Sequence, residues 1–80
     1  MSVACGWLRE NTVSILGCDA EKVTDDANFM RDLGADSLDF LEIVMTAEDR
    51  FRIEIADDEL SNIETFGQAV ALIESKVAPE

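Results

Sequence analysis

Apolar residues along the chain recur with a helical rather than an alternating period. Val3, Trp7, Leu8, Ile15 and Leu16 stand at near-helical spacing and predict a first helix over roughly residues 3 to 16, with Gly17 as its stop. Asn11 and Thr12 weaken that stripe. The connection CDAEKVTDDANFMRDLGAD follows, long for a compact domain, with Val23, Phe29, Met30 and Leu33 as apolar anchors among polar residues. A second helix is predicted from Ser37 to about Phe51, with Asp36 as its N-cap candidate. In RIEIADDELSNIE, Asp57 is the candidate cap of a brief third helix reaching about Ser61. Thr65 and Gln68 form a T-x-x-Q capping-box pattern and open the last helix, whose stripe is Ala69, Val70, Ile73 and Val77. Only RIEI alternates with period two, and four residues without a partner make no strand. The one proline, Pro79, stands in the tail and interrupts none of these helices. The expected fold is all-α: a small four-helix bundle of three longer helices and one short one, with a long loop between the first and second. All of residues 1–80 form a single domain on this reading.

The second helix has two faces. At about 100° per residue, Phe40, Ile43, Val44, Ala47 and Phe51 share one arc and read as core. Asp39, Glu42 and Asp49 gather on the other side, with Leu38 and Met45 beside them. An acidic strip flanked by apolar side chains suits docking, because charge steers an encounter and apolar contact holds it. The same pattern also fits a solvated face with two incidental hydrophobes.

Composition narrows the function classes. Six basic against 18 acidic residues give a formal charge of -12, which repels nucleic-acid phosphates and attracts proteins with basic patches. A hydrophobic content of 48% is enough for a small core. No apolar run approaches the ~18 residues of a membrane span and no signal-like pattern is present, so a cytoplasmic protein without membrane insertion is expected. A monomer is also expected. Cys5 and Cys18 make no CxxC pair and too few ligands for zinc, so no metal site is expected.

Ser37, in LGADSLD, is the residue to explain. A nucleophilic serine needs a general base, the chain has no histidine, and neither Lys22 nor Lys76 stands at a helical interval from it. As a cap it competes with Asp36, which precedes it. An exposed hydroxyl at a helix amino end tolerates an attached phosphate, through open N–H groups and the positive end of the dipole. Phosphorylation and attachment of a phosphate-linked cofactor are equally compatible with that position.

DLGADSLD, followed by FLEIVMTAEDRF and IEIADDELSNIETFGQAVALI, resembles the acyl carrier proteins of dissociated fatty-acid synthesis along nearly the whole chain. The resemblance implies a carrier rather than an enzyme. Ser37 would receive 4'-phosphopantetheine from coenzyme A through a phosphopantetheinyl transferase, and the arm's thiol would hold acyl groups as thioesters. It also implies that Asp36, Leu38, Asp39, Glu42, Met45 and Glu48 meet basic patches on the transferase, synthases, reductases and acyltransferases, although Glu48 lies off the acidic strip. Phe29, Val44, Leu60, Ile63 and Val70 are the implied lining of an acyl-chain pocket. Peptidyl carriers, a related alternative, usually show two glycines shortly before the serine and less charge after it. The chain departs from the family's usual pattern at Phe40, Ala47, Ala56 and Trp7, so the resemblance leaves open a main fatty-acid carrier or a dedicated second carrier for a particular lipid, polyketide or other acyl product; a carrier-like interaction subunit is a further alternative.

Overall fold

A computed structural model describes residues 3–77; Pro79 lies outside them. Among the described residues four α-helices follow one another: α1 (Val3–Leu16), α2 (Ser37–Phe51), α3 (Asp57–Leu60) and α4 (Phe66–Lys76). A 3-10 turn, Ala20–Lys22, lies within the long α1–α2 connection. The all-helical architecture is therefore the expected one. Helix α1 packs on both α2 and α4. Trp7 meets Phe51 edge-on with ring centroids 5.3 Å apart, and Asn11 Nδ2 donates to Thr46 Oγ1 at 2.6 Å, so α1 and α2 run antiparallel.

The buried row of α1 is Ala4, Leu8 and Thr12, each one turn from the next. This corrects the expected stripe. Val3 is exposed, Trp7, Ile15 and Leu16 are half-buried, and Thr12 is fully buried. Its Oγ1 has no hydrogen-bond partner among the described residues, an omission that typically costs about 1–3 kcal/mol. In α2, Ile43, Val44 and Ala47 are buried, with Phe40 and Phe51 half-buried at the edges of the same face. The helix ends on Arg52 in the left-handed region at φ 56°, where glycine is the usual residue.

Two amino-terminal caps form as the sequence indicates. Asp39 N–H donates to Asp36 Oδ1 at 2.8 Å at the start of α2, and Gln68 N–H donates to Thr65 Oγ1 at 3.2 Å at the start of α4. The cap of α3 differs from expectation: Ala56 is the N-cap and Asp57 is already inside the helix. Alanine has no side-chain acceptor, so only the reciprocal bond forms, from Ala56 N–H to Glu59 Oε1 at 3.0 Å. Val77 is the C-cap of α4 and is exposed, whereas Ala69, Val70 and Ile73 are buried.

The α1–α2 connection is pinned throughout its second half. Phe29 N–H donates to Glu64 O, Phe66 N–H to Ala27 O and Gly67 N–H to Asp25 O, at 2.9–3.1 Å. Close approach at Gly67 requires glycine, since a Cβ there would lie 2.9 Å from the Asp25 carbonyl oxygen. Arg9 adds a tie from α1, donating from Nε to Val23 O at 3.2 Å while its guanidinium lies over the Phe66 ring. Val23, Phe29 and Leu33 are buried as anchors; Met30 is instead half exposed, because the turn beginning at Asn28 directs it outward while Phe29 beside it points into the core.

Candidate functional site

The segment leading into α2 is a platform built by local polar bonds over one buried ring. Asn28 Oδ1 accepts from the amides of Met30 and Arg31 at 3.0 and 2.9 Å, and Asp32 Oδ2 accepts from Asn28 N–H at 2.8 Å. Below this turn Phe29 is fully buried, edge-on to Phe40 at 5.3 Å and tilted against Phe66 at 6.3 Å. Ala35 N–H donates to Phe29 O, which fixes the chain immediately before Asp36. Gly34 supplies the positive φ of 77° needed to make that return.

Ser37 follows as the first residue of α2 and is exposed. Asp36 and Asp39 close the capping box around it, so both nearby carboxylates are engaged with backbone amides. The Ser37 hydroxyl makes no hydrogen bond among the described residues, whereas Ser61 and Ser75 donate theirs to the Asp58 and Leu72 carbonyls. At the first and second positions of a helix, the amides of Ser37 and Leu38 have no acceptor within it.

Beyond Ser37, the outer face of α2 carries Leu38, Leu41 and Met45, with 76%, 44% and 56% of their surface exposed. Glu42 and Asp49 are exposed beside them, and Asp39 is half-buried at the cap. Leu41 was absent from the residues singled out by sequence, although its spacing of three and four from Leu38 and Met45 carries the signal. Glu48 stands apart: half-buried, it accepts the Ile55 amide at 2.9 Å and holds the corner after α2.

A small, partly open apolar cavity of about 10 Å³ lies behind α2. Phe29, Val44 and Ile63 line it, joined by Phe40, Ala47 and Ile55, whereas Leu60 and Val70 do not. The bulky Phe40 and the small Ala47 thus border the same space. At about one probe sphere, it has barely room for a water molecule.

Residues 6–73 match the family described as the phosphopantetheine attachment site. The chain belongs to that family. It is also similar to a solved acyl carrier protein from Enterococcus faecalis, with 36% identity, a TM-score of 0.79, and coverage of 91% of this chain and 92% of that one. Membership makes the chain an acyl carrier rather than a catalyst, with 4'-phosphopantetheine as its prosthetic group. Among the described residues no helix is long and apolar enough to cross a membrane.

Proposed function

We propose that Ser37 is the attachment residue and that the protein carries acyl groups in fatty-acid synthesis. The observation that carries this reading is the exposed, uncommitted Ser37 hydroxyl at the amino end of α2, on a platform seated over the buried Phe29 ring and with the helix cap supplied by Asp36. The residues present suit a phosphodiester: the open amides of Ser37 and Leu38 stabilise negative charge there. The attached arm supplies a thiol that holds the acyl group as a thioester.

The chain's own contribution is positional. Without histidine, and with Asp36 and Asp39 tied to backbone amides, it has no base ready to deprotonate Ser37, so the transferase removes that proton. Asp36, Leu38, Asp39, Glu42 and Met45, extended by Leu41, form the docking face for the transferase, synthases, reductases and acyltransferases. Charge brings their basic patches in, and Leu38, Leu41 and Met45 supply apolar contact. Glu48 is better read as a structural brace than as a partner contact. Acyl chains shelter in the core behind α2, which must widen to admit them.

The acidity of α2 and the GADSLD sequence favour an acyl carrier over a peptidyl one. The test is intact-protein mass spectrometry after incubation with coenzyme A, Mg²⁺ and a broad-specificity phosphopantetheinyl transferase. One adduct of phosphopantetheine mass is expected; no adduct, or an adduct that persists in Ser37→Ala, would reject the assignment.

A further inference from the structure

The corner between α2 and α4 is built unlike the rest of the molecule. Helix α3 fully buries none of its side chains, and only Glu59 and Leu60 are half-buried, so packing contributes little to holding it. The residues flanking it, Ile55 and Ile63, are half-buried and form part of the cavity wall. Ala69 and Ile73 of α4 contribute another part. Whatever holds α3 to α4 therefore restrains the width of the cavity.

That restraint is polar. Ile55 N–H donates to Glu48 Oε2 at 2.9 Å, and Ala56 N–H, the next amide, donates to Glu59 Oε1 at 3.0 Å. The same Glu59 oxygen receives Lys76 Nζ at 2.9 Å. Lys76 lies one turn beyond Ile73, so the ion pair ties α3 to the end of the helix that forms the opposing wall. With side chains 26% and 32% exposed, this pair is partly solvated, so breaking it is cheap compared with disrupting a buried contact. Lys76 and the Ala56 amide, in that order, also hold the Glu59 carboxyl below its ordinary range.

We propose that Glu59 and Lys76 form a catch across the α3–α4 seam that limits how far the core opens and so sets the length of acyl chain it shelters. This rests on the sheltering reading above and adds two positioning residues to it. Neither side chain lines the cavity; Glu59 holds the Ala56 amide, next to Ile55 in the cavity wall, and Lys76 holds Glu59.

The experiment has two arms, on wild type, Lys76→Met, Lys76→Arg and Glu59→Gln. In the unacylated protein, native-state hydrogen exchange should quicken about 2- to 5-fold at the Ile55 and Ala56 amides in Lys76→Met, the loss expected for a part-exposed ion pair, with α1 unchanged. Lys76→Arg should restore the wild-type rate and Glu59→Gln should resemble Lys76→Met. In the second arm each protein is loaded with butyryl through dodecanoyl phosphopantetheine, transferred from the corresponding acyl-coenzyme A, and its melting temperature is followed against chain length. The most stabilising chain should be longer in Lys76→Met and Glu59→Gln than in wild type and Lys76→Arg. Unchanged exchange at Ile55 and Ala56 overturns the catch even if chains are sheltered. Identical length profiles in all four proteins overturn its role in length. A wild-type profile flat with chain length rejects sheltering, and the proposal falls with it.

Discussion

Two connections flank α2, and they are built by opposite means. The one that enters it, residues 25–36, sets Phe29 in the core and is fastened to the start of α4 through backbone bonds at Asp25, Ala27 and Phe29. The one that leaves it, residues 52–63, has no fully buried side chain and rests on the carboxylates of Glu48 and Glu59. Packed rings give a stiff floor; partly solvated charges give a seam that parts at low cost. In a carrier this division is useful, because the point of attachment must be presented in one geometry to many enzymes while the cargo side changes shape.

The largest test of that contrast is truncation on each side. Phe29→Ala should lose about 3–5 kcal/mol in denaturant unfolding, since it empties the space between Phe40 and Phe66. Leu60→Ala, at a half-buried position in α3, should lose only about 1 kcal/mol. Similar losses at both positions would remove the contrast.

A smaller effect separates the cap from the attachment residue. Asp36→Ala should cost about 1 kcal/mol because it leaves the Asp39 amide without its acceptor. Ser37→Ala should stay within about 0.5 kcal/mol of wild type, since its hydroxyl supports no bond among the described residues. Thermal or urea melts of the unmodified proteins measure both, and a large loss in Ser37→Ala would mean that the serine is structural.

The smallest effect is the pH dependence of the α3 seam. Glu59 has its carboxyl held below the ordinary value of 4.5 in the folded protein, first by Lys76 and then by the Ala56 amide. A depressed carboxylate pKa stabilises the fold fully above the unfolded value and loses that effect as pH falls through the folded one. The melting difference between wild type and Lys76→Met should therefore persist at neutral pH, begin to shrink as pH falls to the ordinary value of 4.5, and close once pH passes below the depressed folded value. A difference that is constant with pH would mean that Lys76 acts through packing instead.

Local signals in the sequence located most of the fold. Asp36 and the Thr65–Gln68 pair cap their helices because a capping residue needs only amides two or three positions away, and α2 shows its core arc because every member lies on one helix. What sequence alone could not resolve depends on distant partners. Thr12 reads as a break in the α1 stripe, yet it is buried, because the orientation of α1 is set by α2 and α4 together. Met30 and Leu33 look alike as apolar anchors, and only the Asn28 turn separates the exposed one from the buried one. At the candidate site, Ser37 and its flanking acids were legible from seven contiguous residues. Glu48 was not, because its partner is the backbone amide of Ile55, to which a side-chain pattern gives no clue. Leu60 and Val70 are apolar at suitable helical positions, but the cavity wall is formed by Ile55, Ala69 and Ile73, and that choice follows from how α3 and α4 sit against α2.

The central claim is that one hydroxyl, Ser37, carries the prosthetic arm because it alone combines the amino end of α2, exposure and freedom from capping. Peptide fragmentation of the transferase-treated protein tests it directly. The account predicts the phosphopantetheine mass on the fragment containing Ser37 and on no other, with loading abolished in Ser37→Ala. The same mass on a fragment bearing Ser14, Ser61 or Ser75, or undiminished loading of Ser37→Ala, would contradict it.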